Sequence, residues 1–169
     1  YQRALTFDPS NKEAGVALAS CYSRSKRWEE LLELDRERES FADGDDERVA
    51  LLHEVGRVEV DELGRPSDGV QTFRRILEIE PTNVEAVSRL DALLEAAERW
   101  DDLAAHIEFQ VDNALDTTAS IELRQRLGLL TEAKLDQPAR ALDIFEDVLA
   151  DQASFAPALE AVTKRLADD

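Results

Sequence analysis

The sequence points to an all-α fold: an array of antiparallel helix pairs, about nine helices, organised as a 72-residue double repeat. Three observations carry this. Sliding the chain against itself by 72 residues, without a gap, gives 19 identities in 97 aligned pairs, where this composition would give roughly 8 by chance. Within each copy, Trp28, Pro66, Trp100 and Pro138 stand just before apolar stripes, spaced 38, 34 and 38 apart, a period typical of stacked helical units. Apolar residues recur every three or four positions along the chain, and no stretch alternates with the period of a strand.

Residues 1–7 read as the tail of a second helix whose partner is missing, because so short a helix is not stable by itself. Asp8-Pro9 closes it, since the residue before proline is pushed out of helical geometry and proline has no N–H to donate. Ala14, Leu18 and Cys21/Tyr22 place the next helix over 11–24, with Ser10 and Glu13 as its capping box and Cys21 as a small core residue; Thr82 and Glu85 repeat that box. Leu31 and Leu34 mark a helix over 28–40. Val49, Leu52, Val55 and Leu63 mark one over 46–63. Val70, Phe73, Ile76 and Leu77 mark one over 66–79, with Pro66 in its first turn, where a missing N–H costs nothing. The second copy follows through Ala86, Leu90 and Leu94, then Leu103, Ile107 and Val111, then Ile121, Leu127 and Leu130, then Leu142, Phe145 and Val148. A last helix carries Phe155, Ala158, Leu159, Val162 and Leu166. The expected organisation is one array over 1–169, with units 11–45, 46–82, 83–116 and 117–153 and a terminal helix 154–169. Pairs of about 35 residues cannot bury their own apolar faces, so they must stack around a shared core.

Composition narrows the function. With 38 Asp plus Glu against 20 Lys plus Arg, the formal charge is −18. Such a surface repels phosphate backbones and anionic lipid, which argues against nucleic-acid binding and membrane insertion. A single cysteine excludes an internal disulfide and a Cys cluster for zinc. The first residues are neither a Met start nor a signal peptide, so a fragment of a longer protein, in a cytoplasmic setting, is the expectation.

At Tyr1-Gln2-Arg3-Ala4-Leu5, Asp8-Pro9, Asn11, Ala14, Leu18, Tyr22 and Lys26-Arg27-Trp28-Glu29-Glu30-Leu31 the chain resembles the tetratricopeptide repeat (TPR). Phe73-Arg74-Arg75-Ile76-Leu77, Pro81, Asn83, Ala86, Leu90, Leu94 and Arg99-Trp100-Asp101-Asp102-Leu103 carry the resemblance again. The alternate units keep Gly56 and Gly128 at the small first-helix position, but their turns, Leu63-Gly64-Arg65-Pro66 and Leu135-Asp136-Gln137-Pro138, are one residue longer than the family pattern. The resemblance implies a TPR-like α-solenoid, a right-handed superhelix whose first helices line a concave groove, and a protein-interaction module rather than an enzyme.

Carried over by position, the groove-facing residues are Val16, Ser20 and Ser23; His53, Arg57 and Val60; Ser88, Ala92 and Glu95; and Gln125, Leu129 and Glu132. His53, Arg57, Ser88, Arg89, Gln125 and Arg126 are the candidate partner-binding residues, the arginines by reaching an acidic group on the partner. The Lys and Asn of carboxylate-clamping TPRs are replaced at these places by Val16 and Ser20. His53 and His106 lack clustered ligands and read as solvated or satisfied histidines. Trp28 and Trp100, equivalent in the repeat, read as packing across the turn between paired helices. Asp43-Gly44-Asp45-Asp46-Glu47 lacks the alternating ligands of a calcium loop and reads as helix N-terminal carboxylates facing the macrodipole. Neither a cofactor, a metal nor a catalytic residue is expected. The expected partner is a protein or peptide, with structural scaffolding or self-association through open repeat ends as the alternative.

Overall fold

The computed structural model describes residues 1–153 and 156–168, apart from the side chains of 157, 161, 164–166 and 168. Of the residues expected in the last helix, Phe155 and the side chain of Leu166 lie outside what is described. Among the described residues there are ten α-helices and no strand: α1 (Gln2–Phe7), α2 (Lys12–Arg24), α3 (Trp28–Ser40), α4 (Asp45–Arg57), α5 (Pro66–Ile79), α6 (Val84–Ala96), α7 (Trp100–Asp112), α8 (Thr117–Ala133), α9 (Pro138–Asp151) and α10 (Ala156–Asp168). The ends of α3 and α5 fall where the sequence places them.

The helix boundaries follow from local chemistry. Pro66 and Pro138 open α5 and α9, and Asp8 and Glu80 close α1 and α5 ahead of their prolines. The caps differ from expectation. Asn11, not Ser10, is the N-cap of α2, its side chain accepting from the Ala14 N–H at 2.9 Å. Asn83 does the same for Ala86 at 3.0 Å. Ser10 instead donates its backbone N–H and hydroxyl to Asp8 Oδ1 in a local turn. Asp45, Asp46 and Glu47 form the first turn of α4, where the macrodipole favours them. Lys12 bridges Asp43 and Glu47, each at 2.5 Å, and these carboxylates raise its pKa.

Two compact units make up the chain, Tyr1–Leu93 and Leu94–Asp169. In the first, α2 packs on α3, α3 on α4 and α4 on α5; neighbours joined by such short turns run antiparallel. Leu18 and Tyr22 of α2, Leu31, Leu32 and Leu34 of α3, and Val55 and Val58 share one apolar cluster, with Trp28 packed against it. Cys21 is exposed, contrary to expectation: the inward face of α2 is Ala14, Gly15, Leu18 and Tyr22, and Tyr22 occupies the inward position the two residues were assigned jointly. In the second unit α7 packs on α8, α8 on α9 and α9 on α10, around Ile121, Ala141, Phe145, Val148 and Ala158. Lys134 sits over the Trp100 ring, 4.7 Å from its centroid.

The extra residue of the first alternate unit has a definite address. The helix predicted over 46–63 is α4 followed by a π turn, Val58–Glu62, closed by the Leu63 N–H donating to Val58 O at 3.0 Å. A π turn holds more residues than an α turn, so side chains beyond it are displaced around the axis. Both long turns then end alike. Arg65 N–H donates to Glu59 O and Gln137 N–H to Thr131 O, with Gly64 (φ 64°) and Asp136 (φ 52°) in the left-handed region at matching places in the repeat.

Candidate functional site

Two clefts that share Glu54 and Arg57 run along α4 in the unit Tyr1–Leu93. The first, about 400 Å³, lies between α2 and α4: Val16, Ser20 and Ser23 form one wall, and Asp35 and Arg38 of α3 contribute behind them. Asp35 is buried and paired with Arg38 at 2.6 Å. Burial pushes the Asp35 carboxyl above its usual range, against the opposing hydrogen bond from Arg38. Gly15 makes room for this pair, since a Cβ there would stand 3.2 Å from Arg38 Cδ.

The second cleft, about 640 Å³, lies between α4 and α6 and is lined by His53, Arg57, Asp61, Phe73, Glu85 and Arg89, among others. Helical spacing sets its walls: His53 and Arg57 are one turn apart on α4, as are Glu85 and Arg89 on α6. Arg57 reaches Glu54 at 3.1 Å and Glu62 at 3.5 Å. Arg89 reaches Asp61 at 2.5 Å and lies 5.8 Å from the centroid of the Phe73 ring. His53 tilts against the same ring, centroids 6.3 Å apart. Its Nδ1 is buried without a hydrogen-bond partner, and the Glu85 carboxylate stands 3.9 Å away. This one nitrogen lacks a hydrogen bond, while the His53 side chain as a whole is 19% exposed. His106 is buried in α7.

The candidate residues separate into groups. His53, Arg57 and Arg89 meet in one cleft; Ser88 is exposed on α6 beside them without lining it. Val60 is a correction. It packs on the Cβ-less face of Gly69 in α5, and Asp61 takes the cleft-lining place instead, because the π turn displaces the residues after Arg57. Gln125 and Arg126 belong to the other unit, where Arg126 pairs with Glu95 at 3.0 Å. Near them Leu129 is 49% exposed. None of the three arginines waits alone for a partner's acid: each already holds a carboxylate of this chain. Ala50, Glu54, Asp61, Phe73 and Glu85 are the residues of the second cleft that sequence positions missed. Glu54 was readable as the i−3 neighbour of Arg57, whereas Asp61 was not, because its place depends on the π turn.

No helix among the described residues is long and apolar enough to cross a membrane. No family model matches the sequence, and no curated protein matches it. Solved structures do resemble its fold. YrrB, described as a TPR protein with an unusual peptide-binding site, superposes with a TM-score of 0.51 at 17% identity, over 95% of this chain and 79% of that one. The MamA RS-1 ArsTM double mutant superposes with a TM-score of 0.50 at 18% identity, over 93% and 92%. At these identities the likeness is one of fold: an all-α, TPR-like helical repeat.

Proposed function

We propose that this TPR-like chain is a non-catalytic protein-interaction module, and that it holds a peptide or protein segment in the clefts along α4, with His53, Arg57 and Arg89 as the principal contacts and Ser88 at the margin. The observation that carries the proposal is His53, whose buried Nδ1 has no hydrogen-bond partner at the wall of a cleft of about 640 Å³. Buried polar atoms are nearly always satisfied; this one is covered as it stands, so a partner's polar group would reach it as the Glu85 carboxylate, 3.9 Å away, gives way. Fold likeness to a protein described as peptide-binding supports the same reading. The ion pairs of Arg57 and Arg89 fix these side chains in advance, so less ordering entropy is lost when a partner docks. A partner's carboxylate would have to displace Glu54 or Asp61, which favours segments that present an acid together with a hydrogen-bonding group for His53. Gln125 and Arg126 are proposed as contacts of the second unit.

The test is capture of partners by the parent and by Arg57→Glu with Arg89→Glu, with helicity followed by circular dichroism. Loss of specific partners at unchanged helicity supports the cleft; unchanged capture refutes it. The second reading is scaffolding or self-assembly. It rests on exposed apolar side chains such as Phe7, 88% exposed, and Leu115, 85% exposed, and is separated by concentration-dependent light scattering.

A further inference from the structure

We infer that the α4–α6 cleft takes a basic side chain: the group that a bound segment brings to His53 is a cationic N–H donor, the ammonium of a lysine or the guanidinium of an arginine, bridging His53 Nδ1 and the Glu85 carboxylate. The inference rests on the proposed reading of this cleft as a segment-binding site and adds the charge of what enters it. With His53 neutral, the lining carries three carboxylates, Glu54, Asp61 and Glu85, against two guanidiniums, Arg57 and Arg89. Both guanidiniums are met inside the chain, Arg57 by Glu54 and Glu62 and Arg89 by Asp61, so neither is left over to repel a cation. Glu85 is the carboxylate without a counterion. It is exposed, and its only ionic or hydrogen-bonding neighbour among the described residues is His53 Nδ1, at 3.9 Å too far for a hydrogen bond. An N–H on Nδ1 would turn to Glu85 and close that gap; the gap is open, so two acceptors stand side by side with no donor between them. As Glu85 gives way, an ammonium or guanidinium placed between the two serves both at ordinary lengths of about 2.8 Å. A neutral donor satisfies the imidazole and leaves the acid uncompensated, whereas a carboxylate there meets Glu85 charge against like charge.

The internal repeat separates these charges from the packing. At the 72-residue offset the places of His53, Arg57, Asp61, Glu85 and Arg89 are taken by Gln125, Leu129, Ala133, Pro157 and Ala161, while Gly56 and Phe73 persist as Gly128 and Phe145. The second copy keeps the glycine and the ring without the charged set, so the helix pair does not need that set in order to pack. The macrodipole of α6 accounts for an acid in its first turn, where Glu85 lies, but not for an imidazole turned towards it without a hydrogen bond. Ala50, exposed on the same wall, offers the methylene stem of a lysine or arginine an apolar contact. All of these lining residues lie inside the unit Tyr1–Leu93.

The probes are short synthetic peptide libraries that carry one fixed Asp and, scanned through the other positions, a Lys, Arg, norleucine or Glu, with Ala, Ser and Leu elsewhere. Binding is followed by fluorescence anisotropy at about 0.15 M salt to screen diffuse attraction. The Lys and Arg libraries are expected to bind about five- to tenfold more tightly than the norleucine library. Glu85→Gln is expected to erase that preference, and Glu78→Gln on α5, exposed and equal in its change of net charge, to leave it intact. Equal losses from the two variants overturn the inference, since they report only bulk attraction to a chain of charge −18. A norleucine library that binds as tightly as the lysine one, with both lost in Arg57→Glu with Arg89→Glu, overturns the basic preference and leaves the cleft as a segment-binding site; absence of binding by every library overturns both. Nitrogen NMR of His53 gives a second readout. In the free protein, above the histidine titration range, Nδ1 is expected to be unprotonated and to shift when the tightest lysine peptide is added. A protonated Nδ1 in the free protein means that Glu85 already serves it, and overturns the inference.

Discussion

Gly56 of α4 lies against the ring of Phe73 in α5 so closely that a Cβ on Gly56 would stand 2.8 Å from Phe73 Cζ, and 72 residues later a Cβ on Gly128 would stand 2.6 Å from Phe145 Cε1. The two pairs are the same joint built twice: an aromatic ring on the second helix fills the space that a missing side chain leaves on the first. The repeat in the sequence is thus a repeat of packing, and the ring that closes the joint in the first copy also borders the α4–α6 cleft.

Gly56→Ala tests the joint. Alanine improves helix propensity by about 1 kcal/mol, but overpacking of this kind costs about 1–3 kcal/mol. The expected net effect is destabilisation in urea unfolding, relieved when Phe73→Leu is added. A stabilised Gly56→Ala would show that the ring moves freely and that the joint does not constrain the pair.

Lys26 (φ 54°) and Glu98 (φ 51°) hold left-handed backbone at matching positions after α2 and α6. An L side chain there costs about 1 kcal/mol relative to glycine. Lys26→Gly and Glu98→Gly are therefore expected to raise the midpoint of denaturation, and Gly64→Ala, at φ 64°, to lower it.

Glu59 in the π turn is 1% exposed. Its carboxylate accepts from Thr72 Oγ1 at 2.7 Å and from Arg36 at 2.8 Å. Thr72→Val keeps the shape and removes one donor, so a loss of about 1–3 kcal/mol is expected. A neutral effect in thermal unfolding would mean that Arg36 alone satisfies the buried acid.

Asp35 gives a pH signature. Burial raises its pKa in the folded protein, so its contribution to stability is complete below the unfolded value of about 3.9 and is lost as pH rises through the folded value. Asp35→Asn removes this loss. The stability of the parent relative to Asp35→Asn is expected to fall as pH rises above the unfolded value of about 3.9, as followed by melting temperature at each pH. A flat difference would place Asp35 in contact with solvent.

Most of the fold is legible in the sequence because its signals are local. Proline at Pro66 and Pro138 and the apolar stripes of α3 and α5 depend on near neighbours. The misses have non-local or competitive causes. Asn11 wins the cap from Ser10 because Asp8 engages the serine. Cys21 turns outward because the larger Tyr22 takes the buried position. In the cleft, His53, Arg57 and Arg89 were readable from helical position, whereas the exchange of Val60 for Asp61 was not. It arises where one surplus residue is absorbed within the helix rather than in the turn that follows, and residue types alone do not reveal that choice. The ion pairs of Arg89 with Asp61 and of Arg126 with Glu95 are not legible locally, because their partners lie 28 and 31 residues away, whereas that of Arg57 with Glu54 is local.

The most direct test of the central claim, that the face of the unit shared by α2, α4 and α6 receives a partner, is site-specific photocrosslinking. A photoreactive residue at Ser20 or Ser88, both exposed on the cleft-bearing helices, is compared with one at Glu78, exposed on α5. One partner segment is expected to crosslink from Ser20 and Ser88 and to lose both crosslinks with Arg57→Glu and Arg89→Glu. Crosslinks from Glu78 alone, or crosslinks at Ser20 and Ser88 that survive the charge reversal, would contradict it.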